Sequence, residues 1–151
     1  MPTQAAGRVR LTGRIDVSLR QLRRWPLLYY WLPLIAWMVL IFWLSSQPKP
    51  FDLDESWQES LVGISGHILG YAGLSILWWR MLAARQCASA HWTRALAFFP
   101  TMLYAISDEY HQTFVPGRNG TPVDVLIDAA GAGLGLWLIH RWHGKQYRKS
   151  G

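Results

Sequence analysis

A single cysteine, Cys87, stands in 151 residues, which excludes an internal disulfide and any metal site built on a C-x-x-C spacing, and leaves stability to packing. H-E-x-x-H is missing, so no local spacing supports a zinc site, and without G-x-G-x-x-G or G-K-[ST] there is no phosphate loop. No cofactor is expected. Charge is missing where a soluble protein would carry it: from Pro26 to Leu44 there is no charged residue. That stretch is about the length a helix needs to cross the hydrocarbon of a bilayer. No small-residue cleavage site follows it, so it reads as a retained span rather than a signal peptide.

What is there agrees with a membrane protein: 51% apolar residues and ten tryptophans in a chain of one-domain size. Further apolar segments run from about Leu61 to Leu82, from Ala95 to about Ser107 and from Val123 to Ile139. The expected fold class is therefore all-α, an integral membrane bundle of about four transmembrane helices. The third segment is short, and reaches across only if the polar continuation Asp108 to Thr113 forms its end.

The formal charge of +6 does not point to nucleic acid, because the basic residues gather beside apolar spans. Arg8, Arg10, Arg14, Arg20, Arg23 and Arg24 precede the first span, Arg80, Arg85 and Arg94 surround the second loop, and Arg141, Lys145, Arg148 and Lys149 follow the last span. The loop after the first span holds Lys49 among Asp52, Asp54, Glu55 and Glu59, and the loop after the third only Arg118. Short basic loops resist translocation, so both termini are expected in the cytoplasm. In the first tail Ile15, Leu19 and Leu22 recur at helical spacing, which suits either a helix on an anionic membrane surface or a solvated basic tail. Trp25, Trp31, Trp57, Trp92 and Trp142 fall near span ends, as interfacial anchors do.

The densest chemistry lies at the expected outer face. Asp108, Glu109, His111 and Gln112 are followed by the turn Val115-Pro116-Gly117-Arg118, and then by Asp124 and Asp128 on one face of the last helix. His67 and Tyr71, four residues apart in the second span, fall at a comparable depth. Asp108, Glu109, His67 and Asp124 are the candidate acids and bases; Arg118, Gln112, Tyr71, His111 and Asp128 are the candidate binding groups. The alternative is a hydrogen-bonded network that only pins the bundle. Residue types alone would also permit a divalent cation on His67, His111 and carboxylates, but no spacing argues for it and no metal is assigned. In the last span Gly131, Gly133 and Gly135 with Ala129, Ala130 and Ala132 suggest close helix approach.

Ser45-Ser46-Gln47-Pro48, His67 with Tyr71, Asp108-Glu109 with Gln112, Val115 to Arg118, Asp124 and the final glycines, in that order, resemble the VanZ-like family of small bacterial membrane proteins. Asp128 departs from the asparagine usual there. The resemblance implies a multi-pass protein of the bacterial cytoplasmic (inner) membrane, with residues 25–142 as the membrane domain between basic tails 1–24 and 143–151. It also implies an envelope role akin to that of the founding member, which lowers susceptibility to teicoplanin, a lipid-tailed antibiotic acting at the outer face. Two functions are expected: binding or modification of a lipid-linked or lipophilic envelope molecule at the outer leaflet, or a structural or interaction subunit. The expected partner is the lipid bilayer, and a lipid-linked substrate under the first reading.

Overall fold

The computed structural model describes residues 27–48, 57–85, 89–118 and 120–149, so the arginine-rich tail with Ile15, Leu19 and Leu22, together with Trp25 and Cys87, lies outside the described residues. The described chain is all-helical. A π-helical turn, Leu27–Trp31, runs directly into α1, Leu32–Ser45; α2 is Trp57–Ala83, α3 Ala90–Gln112 and α4 Pro122–Lys149. Pro33 has no N–H to give the Tyr29 carbonyl four residues earlier, and Arg80 donates to that carbonyl instead. Three stretches are long and apolar enough to cross a membrane: Leu28–Ser45, Leu61–Ala83 and Pro122–Trp142.

Helix α3 is longer than its apolar segment. Its 23 residues, about 34 Å at the helical rise, begin before Ala95 and take in Asp108 to Gln112 as the final turns. Pro100 lies inside it. Its faces are inverted relative to a helix in water. Thr93, Ala97, Thr101, Ala105, Asp108, Glu109 and Gln112 are buried, whereas Trp92, Leu96, Phe99, Leu103, Ile106 and Tyr110 form an exposed stripe at three- and four-residue steps.

Helices α2 and α4 make the most intimate pairing. A Cβ on Gly131 would lie 2.6 Å from the Ile68 carbonyl oxygen, and one on Gly135 2.5 Å from that of Ala72, so these glycines let the two backbones touch. Gly133 meets nothing and takes no part in the seam. Ser75 ties the pair by donating to the Ala132 carbonyl at 3.0 Å.

The two ends of the bundle differ in charge. At one end, where α1 and α3 begin and α2 and α4 finish, Arg80 donates to the Tyr29 carbonyl and lies 4.3 Å from the centre of the Tyr29 ring. His91, Arg94 and His140 line a groove at the same end. The opposite end holds Ser45, His67, Asp108 to Gln112, Arg118, Asp124 and Asp128. Trp92 and Trp142 are exposed as interfacial anchors would be, but Trp31 packs against the buried core of Leu34, Ile41, Tyr71, Leu74, Met81 and Ala105.

Candidate functional site

Two turns position the polar end. Ser46 closes α1, its N–H bonded to the Phe42 carbonyl. After α3, Gly117 adopts φ 78°, a left-handed conformation that glycine takes without strain. The chain reverses there, and Thr121 opens α4: its hydroxyl accepts the Asp124 N–H at 3.2 Å and contacts Asp124 Oδ2 at 2.7 Å. Gly120 is held so close to the Glu109 carbonyl that any Cβ would collide with it. Helix ends α3 and α4 are thereby locked side by side, as the turn signals predict.

Asp108 is the hub of the polar network. Its carboxylate accepts from the Ser45 hydroxyl at 2.6 Å, the Tyr71 phenol at 3.1 Å and the Gln112 amide at 3.3 Å, so α1, α2 and α3 meet on one buried group. The Gln112 amide also donates to Glu109 Oε1 at 3.1 Å and accepts from Arg118 Nη1 at 3.3 Å, which fixes which way it faces. Glu109 Oε2 accepts the Thr121 N–H at 3.2 Å, taking an otherwise unpaired donor at the start of α4.

Among the described residues, Arg118 neutralises no carboxylate. Its guanidinium donates to the carbonyls of Gln47 at 2.8 Å and Leu44 at 2.9 Å, at the negative end of α1. His67 Nδ1 lies 2.8 Å from Asp128 Oδ1 and 3.8 Å from Glu109 Oε1. The short contact places one proton between imidazole and carboxylate. Asp128 is fully buried, and its second oxygen has no hydrogen-bond partner.

The structure thus brings together eight of the nine expected residues: His67, Tyr71, Asp108, Glu109, Gln112, Arg118, Asp124 and Asp128. His111 stands apart, its ring 4.5 Å from that of Phe42. Sharing a helix face with Asp108 by spacing does not aim it at the same neighbours.

Beside this network opens a cleft of about 660 Å³ between α1 and α2. Trp37, Leu40 and Leu44 form one wall, and Val62, Gly63, Gly66 and Leu69 the other. Its polar part is His67, Tyr71, Asp108, Gln112, Arg118 and Asp124. A Cβ on Gly63 or Gly66 would touch nothing, so these glycines serve no packing and widen the cleft. Local sequence reading misses them because their effect depends on the distance to α1. Their spacing on the face of His67 and Gly70 was the available signal.

No curated protein and no solved structure matches the chain. The sequence pattern of VanZ/LLP1 matches residues 30–143, a stretch that holds the cleft, the Asp108 hub and the His67–Asp128 pair together, and the chain belongs to the VanZ/LLP1 family.

Proposed function

We propose that the chain crosses the bacterial cytoplasmic membrane four times with both termini inside, and that the cleft between α1 and α2 binds a lipid-linked or lipophilic envelope molecule at the outer leaflet. The fourth crossing is α3. An amphipathic helix lying on a membrane turns its polar face to water, whereas α3 turns that face into the bundle and leaves leucines and aromatics outside. The arginines around α1, α2 and α4 put the opposite, carboxylate-rich end outside.

The observation that carries the binding reading is the composition of the cleft: exposed apolar walls from two membrane helices over a polar floor, with Arg118 at its edge. That is the complement of an amphiphile with a long apolar chain and an anionic group, chemistry shared by lipid-linked wall precursors and lipid-tailed antibiotics. Arg118, which makes three bonds with its five N–H donors, contacts the anionic group, and Gln112, a candidate binding group with both amide hydrogens committed to carboxylates, holds Arg118 in place. His67 lines the cleft and touches the buried Glu109 and Asp128, so acid–base chemistry on the ligand would fall to His67 and Glu109. Asp108 and Asp124 are candidate acids as well, but their oxygens already serve the helix junction and the α4 cap.

Those bonds favour a structural role for Asp108 and Asp124, and a purely structural subunit is the second reading. A fluorescent polyprenyl phosphate titrated into the detergent-purified chain separates the two. Saturable binding that is lost in Gly66→Leu, with a melting temperature no lower than the parent's because nothing adjoins that Cβ and glycine disfavours a helix interior, supports the cleft. Failure of the parent to bind, or equal binding by Gly66→Leu, refutes it.

A further inference from the structure

Among the described residues, the negative groups at the outer end are short of cations. Asp108, Glu109 and Asp128 are buried there and Asp124 is half-buried, yet Arg118 spends its guanidinium on two carbonyls and an amide. Among the described residues, no lysine or arginine pairs with these carboxylates. Asp108 is satisfied by three uncharged donors. Asp128 is not, since it is fully buried with Oδ1 on His67 and Oδ2 on nothing. Buried charge in proteins is paired or coordinates a metal, and an orphaned buried oxygen calls for the partner that completes it.

The geometry points to a divalent-cation site formed by His67 of α2, Glu109 of α3 and Asp128 of α4. One ligand atom from each lies within 4.8 Å of the others. His67 Nδ1 is 2.8 Å from Asp128 Oδ1 and 3.8 Å from Glu109 Oε1. Two ligands of one tetrahedral zinc, each at about 2.0–2.2 Å, are about 3.4 Å apart. Two of the present spacings bracket that value and the third lies within 4.8 Å, so the three side chains close on an ion by movements of up to about an ångström. The donor set of one imidazole nitrogen and two carboxylate oxygens suits zinc, and manganese next.

Each ligand comes from a different helix, and each helix is fixed by contacts independent of the ion: Gly131 and Gly135 seat α4 on α2, and Thr121 ties α4 to Glu109. His67 also lines the cleft, which supplies an access route and an open coordination position for water or an anionic group. Binding the ion replaces the proton shared by His67 and Asp128. The site rests on the triad alone and does not require the amphiphile reading.

The test uses the full chain in detergent, stripped with a chelator and titrated calorimetrically with Zn²⁺ and, separately, Mn²⁺, with metal content measured after dialysis. About one ion per chain is expected, together with a rise in melting temperature that chelator reverses. His67→Gln and Glu109→Gln, checked for parental helicity, should weaken binding by at least the ~10–100-fold that even supporting contacts contribute at metal sites. Ser46→Ala, whose hydroxyl bonds only its own helix at an exposed turn, should bind as the parent does. Absence of saturable binding and of any chelator-reversible stabilisation with both ions overturns the site. So does binding that persists undiminished in both His67→Gln and Glu109→Gln, which would place the ion elsewhere.

Discussion

The Ser45 hydroxyl, at the last residue of α1, donates to Asp108 Oδ1 of α3 across 2.6 Å, with both side chains buried. Two motifs that lie 63 residues apart in the chain are thereby one contact. Removing it leaves a buried carboxylate oxygen short of a donor, at a cost of ~1.5–3 kcal/mol for a bond to a charged group. Ser45→Ala should therefore lower the melting temperature in detergent. Ser46→Ala, whose hydroxyl bonds an exposed turn of its own helix, should stay within about 0.5 kcal/mol of the parent. Equal melting of the two variants would remove Asp108 from its place as hub.

Arg118 makes three bonds in diverging directions, two of them to carbonyls at the end of α1. Lysine keeps the charge but not the planar fork. Arg118→Lys should lose about 1–2 kcal/mol of stability while retaining part of any affinity for an anionic amphiphile, and Arg118→Ala should lose both. Thermal melts and the polyprenyl phosphate titration read the two effects separately. A lysine variant as stable as the parent would show that charge near α1, and not the fork, is what matters.

The glycines of α4 make opposite predictions two residues apart. Gly131→Val and Gly135→Val drive a side chain into the backbone of α2, so either should break the α2–α4 seam and abolish accumulation of folded protein. Gly133→Ala adds a methyl where nothing lies within 4 Å and removes the ~1 kcal/mol that glycine costs a helix interior. It should melt higher. Size-exclusion profiles and melts of the three variants decide, and a tolerated Gly135→Val would contradict the close approach.

Helix number and nearly all of the polar site were legible in the sequence, because apolar length and the Pro116-Gly117 turn act locally. The extent of α3 was less so. Its inward polar residues dilute the apolar signal, and only tertiary burial reveals that Asp108, Glu109 and Gln112 face protein while Leu103 and Ile106 do not. His67, Glu109 and Asp128 carry no ligand spacing, since three helices contribute one residue each. The α4 cap was readable, as Thr121 precedes Asp124 by three residues, yet spacing alone does not tell a capping carboxylate from a catalytic one. Nothing local could say that Arg118 would turn to α1.

The proposed crossing by α3 makes a topology that thiol labelling can check. Cys87 falls between α2 and α3, and Phe114, just past α3, is 68% exposed. If α3 crosses, these positions lie on opposite sides of the membrane. In right-side-out spheroplasts, a membrane-impermeant maleimide should leave Cys87 unlabelled until the cells are permeabilised, and should label Phe114→Cys made in a Cys87→Ser background. If α3 lay along the inner surface, only three helices would cross, both positions would be protected, and the carboxyl terminus would emerge outside. Protection of both positions would contradict the four-span bundle, because the outer end of α1 could not then reach Asp108 of α3, and protection of Phe114→Cys with Cys87 labelled would put the polar cleft on the cytoplasmic side and remove the outer-leaflet ligand.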